Sequence, residues 1–233
     1  MIITFEGGEF AGKGEQIGLL KSYLTYKGHR LSHINFYEPG GTQPGDILRA
    51  MLKGIADTPY AKQYLTIPAE QLVGIAKSLE PDTEMHLFLA SRAMLYDIAK
   101  QELAQGKVII WDRSVDSTAV YQGHVKAPDL LEDIRKANQQ ILERRGMNIT
   151  QTFLLDIPYE VALERKKKRP QTEDKNDNMP PSFFEKVRQG YLAEHQYYRN
   201  LPENHPQYKR IVRIDGNRPI QVIHEDIVSR LNL

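Results

Sequence analysis

The feature that most constrains this chain is a glycine-rich segment near its start, GGEFAGKG, at residues 7–14. A short apolar run at residues 2–5 precedes it, and a helical pattern at residues 16–27 follows it. Glycines in such a turn let backbone N–H groups converge on phosphate oxygens, and the next helix directs its positive end toward them. A glycine-rich turn that arose by chance is the alternative, but a strand directly before it and a helix directly after it favour a phosphate-binding loop. The segment therefore predicts a phosphate-binding loop in which Lys13 meets the phosphate.

The loop departs from its usual pattern at one position. A serine or threonine normally follows the lysine, because its hydroxyl helps to hold Mg²⁺. Here Gly14 follows, and then Glu15. Two interpretations are open: a working ATP site whose Mg²⁺ is held by carboxylates, or the relic of such a site. The residues predicted to bind the nucleotide are Gly7, Gly8, Glu9, Phe10, Ala11, Gly12, Lys13, Gly14 and Glu15.

Composition supports a single domain over residues 1–233. The chain is 40% hydrophobic, which is enough to bury a core, and its 31 basic and 30 acidic side chains leave a net charge of +1. That balance gives no electrostatic support to a general role with nucleic acid or membranes. No apolar run approaches the roughly 18 residues of a membrane span. The absence of cysteine suits a reducing compartment, so we expect a cytoplasmic protein without a signal peptide.

Short apolar runs alternate with longer helical patterns along the chain. The runs have the length and β-branched content of buried strands and lie at residues 2–5, 31–37, 108–111, 152–155 and 211–214. The helical patterns lie at residues 16–27, 84–105, 130–145, 159–168, 181–200 and 219–231. This alternation predicts an α/β fold with a mostly parallel sheet and helices on both faces.

Four motifs fall at the carboxyl ends of the predicted strands, where such folds bind ligands. They are the phosphate-binding loop, YEPGGT at residues 37–42, DRS at 112–114 and DIP at 156–158. A carboxylate at a strand end beside a phosphate-binding loop is a candidate Mg²⁺ ligand. Asp112 and Glu15 are therefore the predicted metal ligands. Arg113 can grip a phosphate with two hydrogen bonds. A surface ion pair is the alternative interpretation, and it is the less favoured of the two.

The helical segment TEMHLFLASRAML places Glu84, Phe88 and Arg92 on one face, at intervals of four residues. An aromatic ring one turn before an arginine can stack on a flat base whose edge the arginine bonds. For Phe88 alone, core packing is the more ordinary interpretation.

A basic run, ERKKKR at residues 164–169, ends a helical pattern and enters a polar, turn-rich segment. Cations are favoured at the carboxyl end of a helix, so a solvated face is one interpretation. The other is a lid that closes cations over a triphosphate.

Taken together, these motifs resemble the thymidylate kinase family, whose members transfer the γ-phosphate of ATP to dTMP. The resemblance rests on FEGGEFAGKGEQ, EPGGTQPGDILR, LFLASRA, VIIWDRSVDSTAVYQG, TFLLDIPYEVALERKKKR, FFEKVRQGYL and IDGNRPIQVI, which cover nearly the whole chain. It implies a three-layer P-loop kinase fold with a five-stranded parallel sheet and helices on both faces. It also implies a lid at about residues 164–181, a homodimer, and dependence on ATP and Mg²⁺.

The resemblance also implies roles for individual residues. Arg49 and Arg113 would grip the phosphate of dTMP, Phe88 would stack on thymine and Arg92 would bond its edge. Tyr121 would pack against the sugar, where a ribose 2′-hydroxyl would crowd it. The implied substrate-binding set is Glu9, Arg49, Phe88, Arg92, Arg113, Ser117, Thr118, Tyr121 and Gln122. The implied catalytic set is Lys13, Arg113, Arg165 and Arg169.

Several residues depart from the family pattern. Phe10 stands where some members carry a catalytic arginine, so the chain resembles members whose catalytic cation comes from the lid, where Arg165, Lys167 and Arg169 lie. Tyr37 and Ser114 are also unusual, and the stretch 54–81 is longer than expected. Two other functions therefore stay open: phosphorylation of another deoxynucleoside monophosphate, and nucleotide binding with weak catalysis.

Overall fold

Five parallel strands form the single sheet of this computed structural model, which describes residues 1–168 and 179–231. The strands are β1 (Ile2–Glu6), β2 (Phe36–Tyr37), β3 (Ile109–Asp112), β4 (Gln151–Asp156) and β5 (Ile211–Asp215). Their spatial order is β2-β3-β1-β4-β5, so β1 has a neighbour on each side. The strand that leads into the glycine-rich loop is therefore central.

Helices follow the strands and cover the sheet. The α-helices of the described residues are α1 (Lys13–Tyr26), α2 (Gln43–Lys53), α3 (Pro59–Tyr64), α4 (Ala69–Ser78), α5 (Pro81–Ala104), α6 (Val115–Thr118), α7 (Leu131–Glu143), α8 (Tyr159–Lys167), α9 (Pro181–Arg199) and α10 (Ile220–Ser229). A π-helix, Ala119–Lys126, continues α6, and a single 3₁₀ turn, Pro128–Leu130, leads into α7.

Alternate residues of β1 contribute to cores on opposite faces of the sheet, as the two-residue period of a strand requires. Ile3 and Phe5 join a cluster with residues of α1 and α10. Ile2 joins a second cluster that includes Trp111 of β3 and Tyr96 of α5, whose rings meet edge to face. The predicted three-layer α/β fold with a five-stranded parallel sheet is confirmed.

One prediction of local structure differs from what is observed, and one stretch for which no element was predicted is helical. Within residues 31–37 only Phe36–Tyr37 is a strand, and Leu31 makes one isolated bridge to Val108. Between them the chain bends, with the Ser32 hydroxyl bonded to Glu102 at 2.6 Å, so a continuous strand does not form. The long stretch at residues 54–81 carries helices α3 and α4, which close a small apolar cluster around Ala61.

Helix α2 was not predicted, although its end signals are in the sequence. Thr42 caps its first turn by accepting from the Gly45 N–H at 2.9 Å, and Gly54 ends it in the left-handed conformation. A threonine before a proline-containing first turn and a glycine after the last turn are ordinary helix boundaries.

No helix within residues 1–168 or 179–231 has both the length and the apolar character needed to cross a bilayer. The predicted lid, at about residues 164–181, falls largely outside the described residues. Its described part includes the end of α8 and the start of α9.

Candidate active site

The carboxyl ends of β1, β2 and β3 open onto one cavity of about 470 Å³. Most of the residues predicted from the sequence line it, and they come from both sides of the opening. Those residues are Glu9, Phe10, Ala11, Gly12, Lys13, Gly14, Arg49, Phe88, Arg92, Asp112, Arg113, Ser117, Thr118, Tyr121 and Gln122. Gly7, Gly8, Glu15 and Arg165 are not part of this lining, and Arg169 lies outside the described residues.

The glycine-rich loop has a backbone that few side chains would tolerate. At Gly7, with φ of +138°, an added Cβ would lie 2.5 Å from the Leu155 carbonyl oxygen. Phe10 itself has φ of +61°, a left-handed conformation that is rare for a bulky residue. Strain of this kind persists only where the surroundings enforce it, and it is concentrated at functional sites.

The Lys13 side chain bonds back to the backbone of the glycine-rich loop. Its Nζ donates to the carbonyl oxygens of Gly7 and Gly8 at 3.1 and 3.0 Å. Burial, together with the nearby positive charge of Arg113, lowers the pKa of Lys13 to about 8. An anion that displaced these carbonyls would restore the preference of Lys13 for its charged form.

Gly14 is exposed, and an added Cβ would meet no atom within 4 Å. Space therefore does not explain the missing hydroxyl. Glu15 lies beside it in the first turn of α1 and is exposed to solvent. A carboxylate there interacts favourably with the positive end of the helix.

Asp112, at the end of β3, has the chemistry of a metal ligand. Its Oδ1 is buried and has no hydrogen-bond partner among the described residues. A buried carboxylate oxygen without a partner needs an explanation such as a bound ion or water. Residues 1–168 and 179–231 hold no preformed cluster of three or more acidic or histidine side chains for a metal. If Asp112 holds Mg²⁺, phosphate oxygens and water are the ligands that this ion ordinarily adds to one or two carboxylates.

The Arg113 side chain is held in the cavity by contacts with other residues of the chain. It has φ of +62°, and its Nη1 donates to the Gly7 carbonyl at 3.1 Å and to the Tyr191 hydroxyl at 2.9 Å. Its Nη2 lies 3.5 Å from Glu9 Oε1, which also accepts from the Tyr121 hydroxyl at 2.6 Å. These contacts fix the guanidinium beside the glycine-rich loop.

Glu6, which was not predicted to be a site residue, holds the neighbours of Arg113 in place through buried hydrogen bonds. It is buried at the end of β1 and accepts from the Ser114 N–H and the Ser117 hydroxyl, each at 2.7 Å, and from the Tyr191 hydroxyl at 3.0 Å. Burial, together with the negative charge of Asp116, raises the pKa of Glu6 to about 7. An acidic residue that ends a buried strand beside a glycine-rich loop was the available signal.

Arg92 forms a fully buried wall of the cavity. Its Nε donates to Glu38 Oε2 at 2.8 Å, and its Nη2 donates to Thr118 Oγ1 at 2.8 Å and to the Ser114 carbonyl at 3.1 Å. Nη1 donates to Asn138 Oδ1. Among the described residues, these contacts leave one Nη1 hydrogen without an acceptor. Glu38 and Asn138 were not singled out from the sequence.

Arg49 is held by the stretch that follows α2. Its Nε and Nη2 donate to the two carboxylate oxygens of Asp57 at 2.7 and 2.6 Å. Its Nη1 donates to the Pro39 carbonyl at 2.9 Å, so the guanidinium stays against the EPGG turn. A side chain from the unexpectedly long stretch 54–81 thus fixes an arginine of the cavity.

Arg165 lies against the outer side of the glycine-rich loop. Its Nη1 donates to the carbonyl oxygens of Phe10 and Ala11 at 3.3 and 3.1 Å, and its Nη2 donates to the Gly216 carbonyl at 2.7 Å. Lys167, two residues further on, is exposed. The loop and the turn after β5 are therefore joined through one cation of α8.

A model of one protein family, described as thymidylate kinase, matches residues 5–227. The chain belongs to the thymidylate kinase family. A thymidylate kinase of Kosmotoga olearia is 31% identical over 234 residues, covering 100% of this chain and 96% of its own length. One from Fervidobacterium nodosum is 32% identical over 233 residues, covering 100% and 98%.

Another thymidylate kinase, from Dehalococcoides mccartyi, is 32% identical over 234 residues. The chain thus has nearly the full length of these members of the family. Family membership does not favour the two alternatives left open above, a different acceptor base and a catalytically weak nucleotide-binding protein.

Proposed function

We propose that this chain transfers the γ-phosphate of ATP to dTMP and forms dTDP. One observation carries the proposal beyond family membership: a single cavity joins the glycine-rich loop to the wall formed by Phe88 and Arg92. The loop suits the phosphates of a donor nucleotide, and the wall suits a flat base. The two substrates would meet between Lys13 and Arg113.

Catalysis would depend on positioning and charge, since phosphoryl transfer needs little covalent chemistry from the protein. Lys13 would neutralise the donor phosphates, and Arg113, fixed by Gly7 and Tyr191, would meet the acceptor phosphate. Asp112 would hold Mg²⁺, which supplies charge neutralisation to the phosphates when it is bound. Glu9 would orient Tyr121 through the 2.6 Å hydrogen bond.

A panel of nucleoside monophosphates tests the proposal. With ATP and Mg²⁺, we expect dTMP to be the best acceptor. It should exceed dUMP by about 10- to 200-fold at most, because one methyl group in an apolar pocket contributes little more. UMP should be much poorer, since Tyr121, which is held by its hydrogen bond to Glu9, would crowd a ribose 2′-hydroxyl. Diphosphate formation, followed by chromatography, is the measurement.

Two results from the same panel of monophosphates would contradict the proposed function. A purine monophosphate as the best acceptor would show that the cavity is not a pyrimidine site. Absence of any diphosphate product, with ATP still bound in calorimetry, would point instead to a catalytically weak nucleotide-binding protein.

Magnesium titration separates the two predicted metal ligands. We expect Asp112→Asn to raise the Mg²⁺ concentration for half-maximal turnover by about tenfold or more, in keeping with the 10- to 100-fold losses seen when metal-site partners are altered. The buried, unpartnered Asp112 oxygen is the reason. The matched change Glu15→Gln should shift the midpoint less than twofold, because this carboxylate is exposed and is not part of the cavity lining.

A larger shift for Glu15→Gln than for Asp112→Asn would assign the metal to the first turn of α1. ATP affinity without metal is the control in both variants. It should stay unchanged or rise slightly, because each change removes a negative charge near the phosphates.

We also propose that residues at about 164–181 act as a lid over the donor site, and that the protein works as a homodimer in the cytoplasm. The lid proposal is supported by Arg165, which already bonds the glycine-rich loop. The other two proposals are supported by family membership. Light scattering during size-exclusion chromatography would measure the oligomeric state directly.

A further inference from the structure

Gln122 has a buried amide that the rest of the site leaves half satisfied. The residue lies in the π-helix, lines the cavity and is only 3% exposed. Its Nε2 donates to Glu84 Oε2 at 3.0 Å, whereas its Oε1 has no hydrogen-bond partner among the described residues. Buried amide oxygens are nearly always bonded, so an unpaired one in a cavity wall indicates a ligand or a bound water.

Glu84 determines which end of this amide is left unpaired. A carboxylate only accepts hydrogen bonds, so the NH₂ end of Gln122 must face it. The opposite orientation would put two partly negative oxygens together at hydrogen-bond distance in a buried site. Lys126 also donates to Glu84 Oε2, which helps to hold this carboxylate in place.

The cavity wall then has a directional pattern. Gln122 offers an acceptor. Arg92, which lines the same cavity, has one Nη1 hydrogen that its contacts with the described residues leave over. Thymine and uracil have an N–H donor at ring position 3 beside a carbonyl acceptor at position 4. Cytosine reverses both, with an acceptor at position 3 and an amino donor at position 4.

We infer that Glu84 is a positioning residue that fixes the amide orientation of Gln122 and thereby makes the site select a base with an N–H at position 3. The inference rests on the proposed function, because it assumes a pyrimidine monophosphate in this cavity. Glu84 also lines the cavity, and the role proposed for it here is exerted on the base through Gln122.

The test is a double-mutant cycle of Glu84→Met and Gln122→Met, read as kcat/KM for dTMP and for dCMP. Glu84→Met keeps the length of the side chain but removes the acceptor, so the Gln122 amide can turn either way. We expect the preference for dTMP over dCMP to fall on the order of tenfold or more, since sites built around a base hydrogen bond discriminate strongly. The loss should appear mainly in the KM for dTMP, with kcat nearly unchanged.

The cycle distinguishes positioning from a general structural effect. In the Gln122→Met background, Glu84→Met should change the preference no further, because there is no amide left to orient. The matched control is Glu194→Gln, which alters another buried carboxylate that contacts the same π-helix through His124 at 2.8 Å, outside the cavity. It should leave the dTMP to dCMP ratio unchanged.

If Glu84→Met does not fold, Glu84→Asp withdraws the carboxylate by one methylene and should shift the ratio in the same direction, by less. A parent enzyme that prefers dTMP, with a ratio unchanged in Glu84→Met or Glu84→Asp, would overturn this inference and leave the proposed function standing. A parent that phosphorylates dTMP no better than purine monophosphates would overturn the proposed function first.

Discussion

Replacing Arg165 and Arg169 together by alanine is expected to lower kcat on the order of 10³-fold or more, because an arginine supplied to phosphoryl transfer contributes about 10³–10⁵ in rate. The glycine-rich loop itself offers no arginine, since Phe10 occupies the position where some family members have one. Arg165 lies directly on that loop through the Phe10 and Ala11 carbonyls. Single-turnover rates at saturating substrates are the measurement.

Binding of dTMP should survive this double change, because Arg165 lies on the glycine-rich loop and is not part of the cavity lining. Calorimetry with dTMP alone is the check. Arg144→Ala, which removes an exposed arginine at the end of α7, is the matched control. Turnover within a few-fold of the parent would mean that the basic run is only a solvated helix end.

Lys13→Met is expected to lower kcat/KM for ATP by about 10²–10³-fold, the usual loss when one preorganised charge or donor at a reacting group is removed. Methionine keeps most of the volume of the buried stem, so the loop has little reason to collapse. Steady-state kinetics with varied ATP is the measurement. A change smaller than tenfold would show that the loop backbone, and not this cation, holds the phosphates.

The parent enzyme should lose affinity for ATP as the pH rises above about 8. Lys13 in the free site has its pKa lowered to about 8 by burial, so it is charged below that pH and neutral above it. Phosphate favours the charged form, so binding above pH 8 must take up a proton and weakens by up to about tenfold per pH unit. Lys13→Met should remove this dependence, and a parent profile that stays flat to pH 9.5 would contradict it.

The parts of the site that the sequence predicts are those attached directly to strand ends. Lys13, Asp112 and Arg113 could be placed together because parallel strands bring their carboxyl ends to one edge. The residues that hold these three side chains in position could not be predicted. Glu6 meets Ser114 across 108 residues of chain, and such partners depend on side-chain geometry that no local pattern records.

Predictions of the fold were limited in the same way, because local patterns do not record contacts made by individual side chains. Strands β1, β3 and β4 were predictable because they are short, mostly apolar runs buried on both faces. Strand β5 was predictable from Ile211, Val212 and Ile214, although Arg213 in the same strand is exposed. The short β2 was overestimated, because an apolar run does not reveal where hydroxyl groups such as that of Ser32 draw the chain into a bend. Asp57 shows the limit most clearly: nothing local distinguishes it from a solvated aspartate, yet it holds Arg49.

The buried pair of Arg92 and Glu38 restricts how this family member can evolve. Both side chains are almost inaccessible, at 0% and 2% exposure. Losing either one would leave the other charge buried and uncompensated, at about 3–5 kcal/mol, a large part of the roughly 5–15 kcal/mol that keeps a domain folded. A lineage could exchange the pair only by changing both residues nearly at once. New acceptor preferences should therefore arise at residues such as Gln122, where a single substitution leaves no charge stranded.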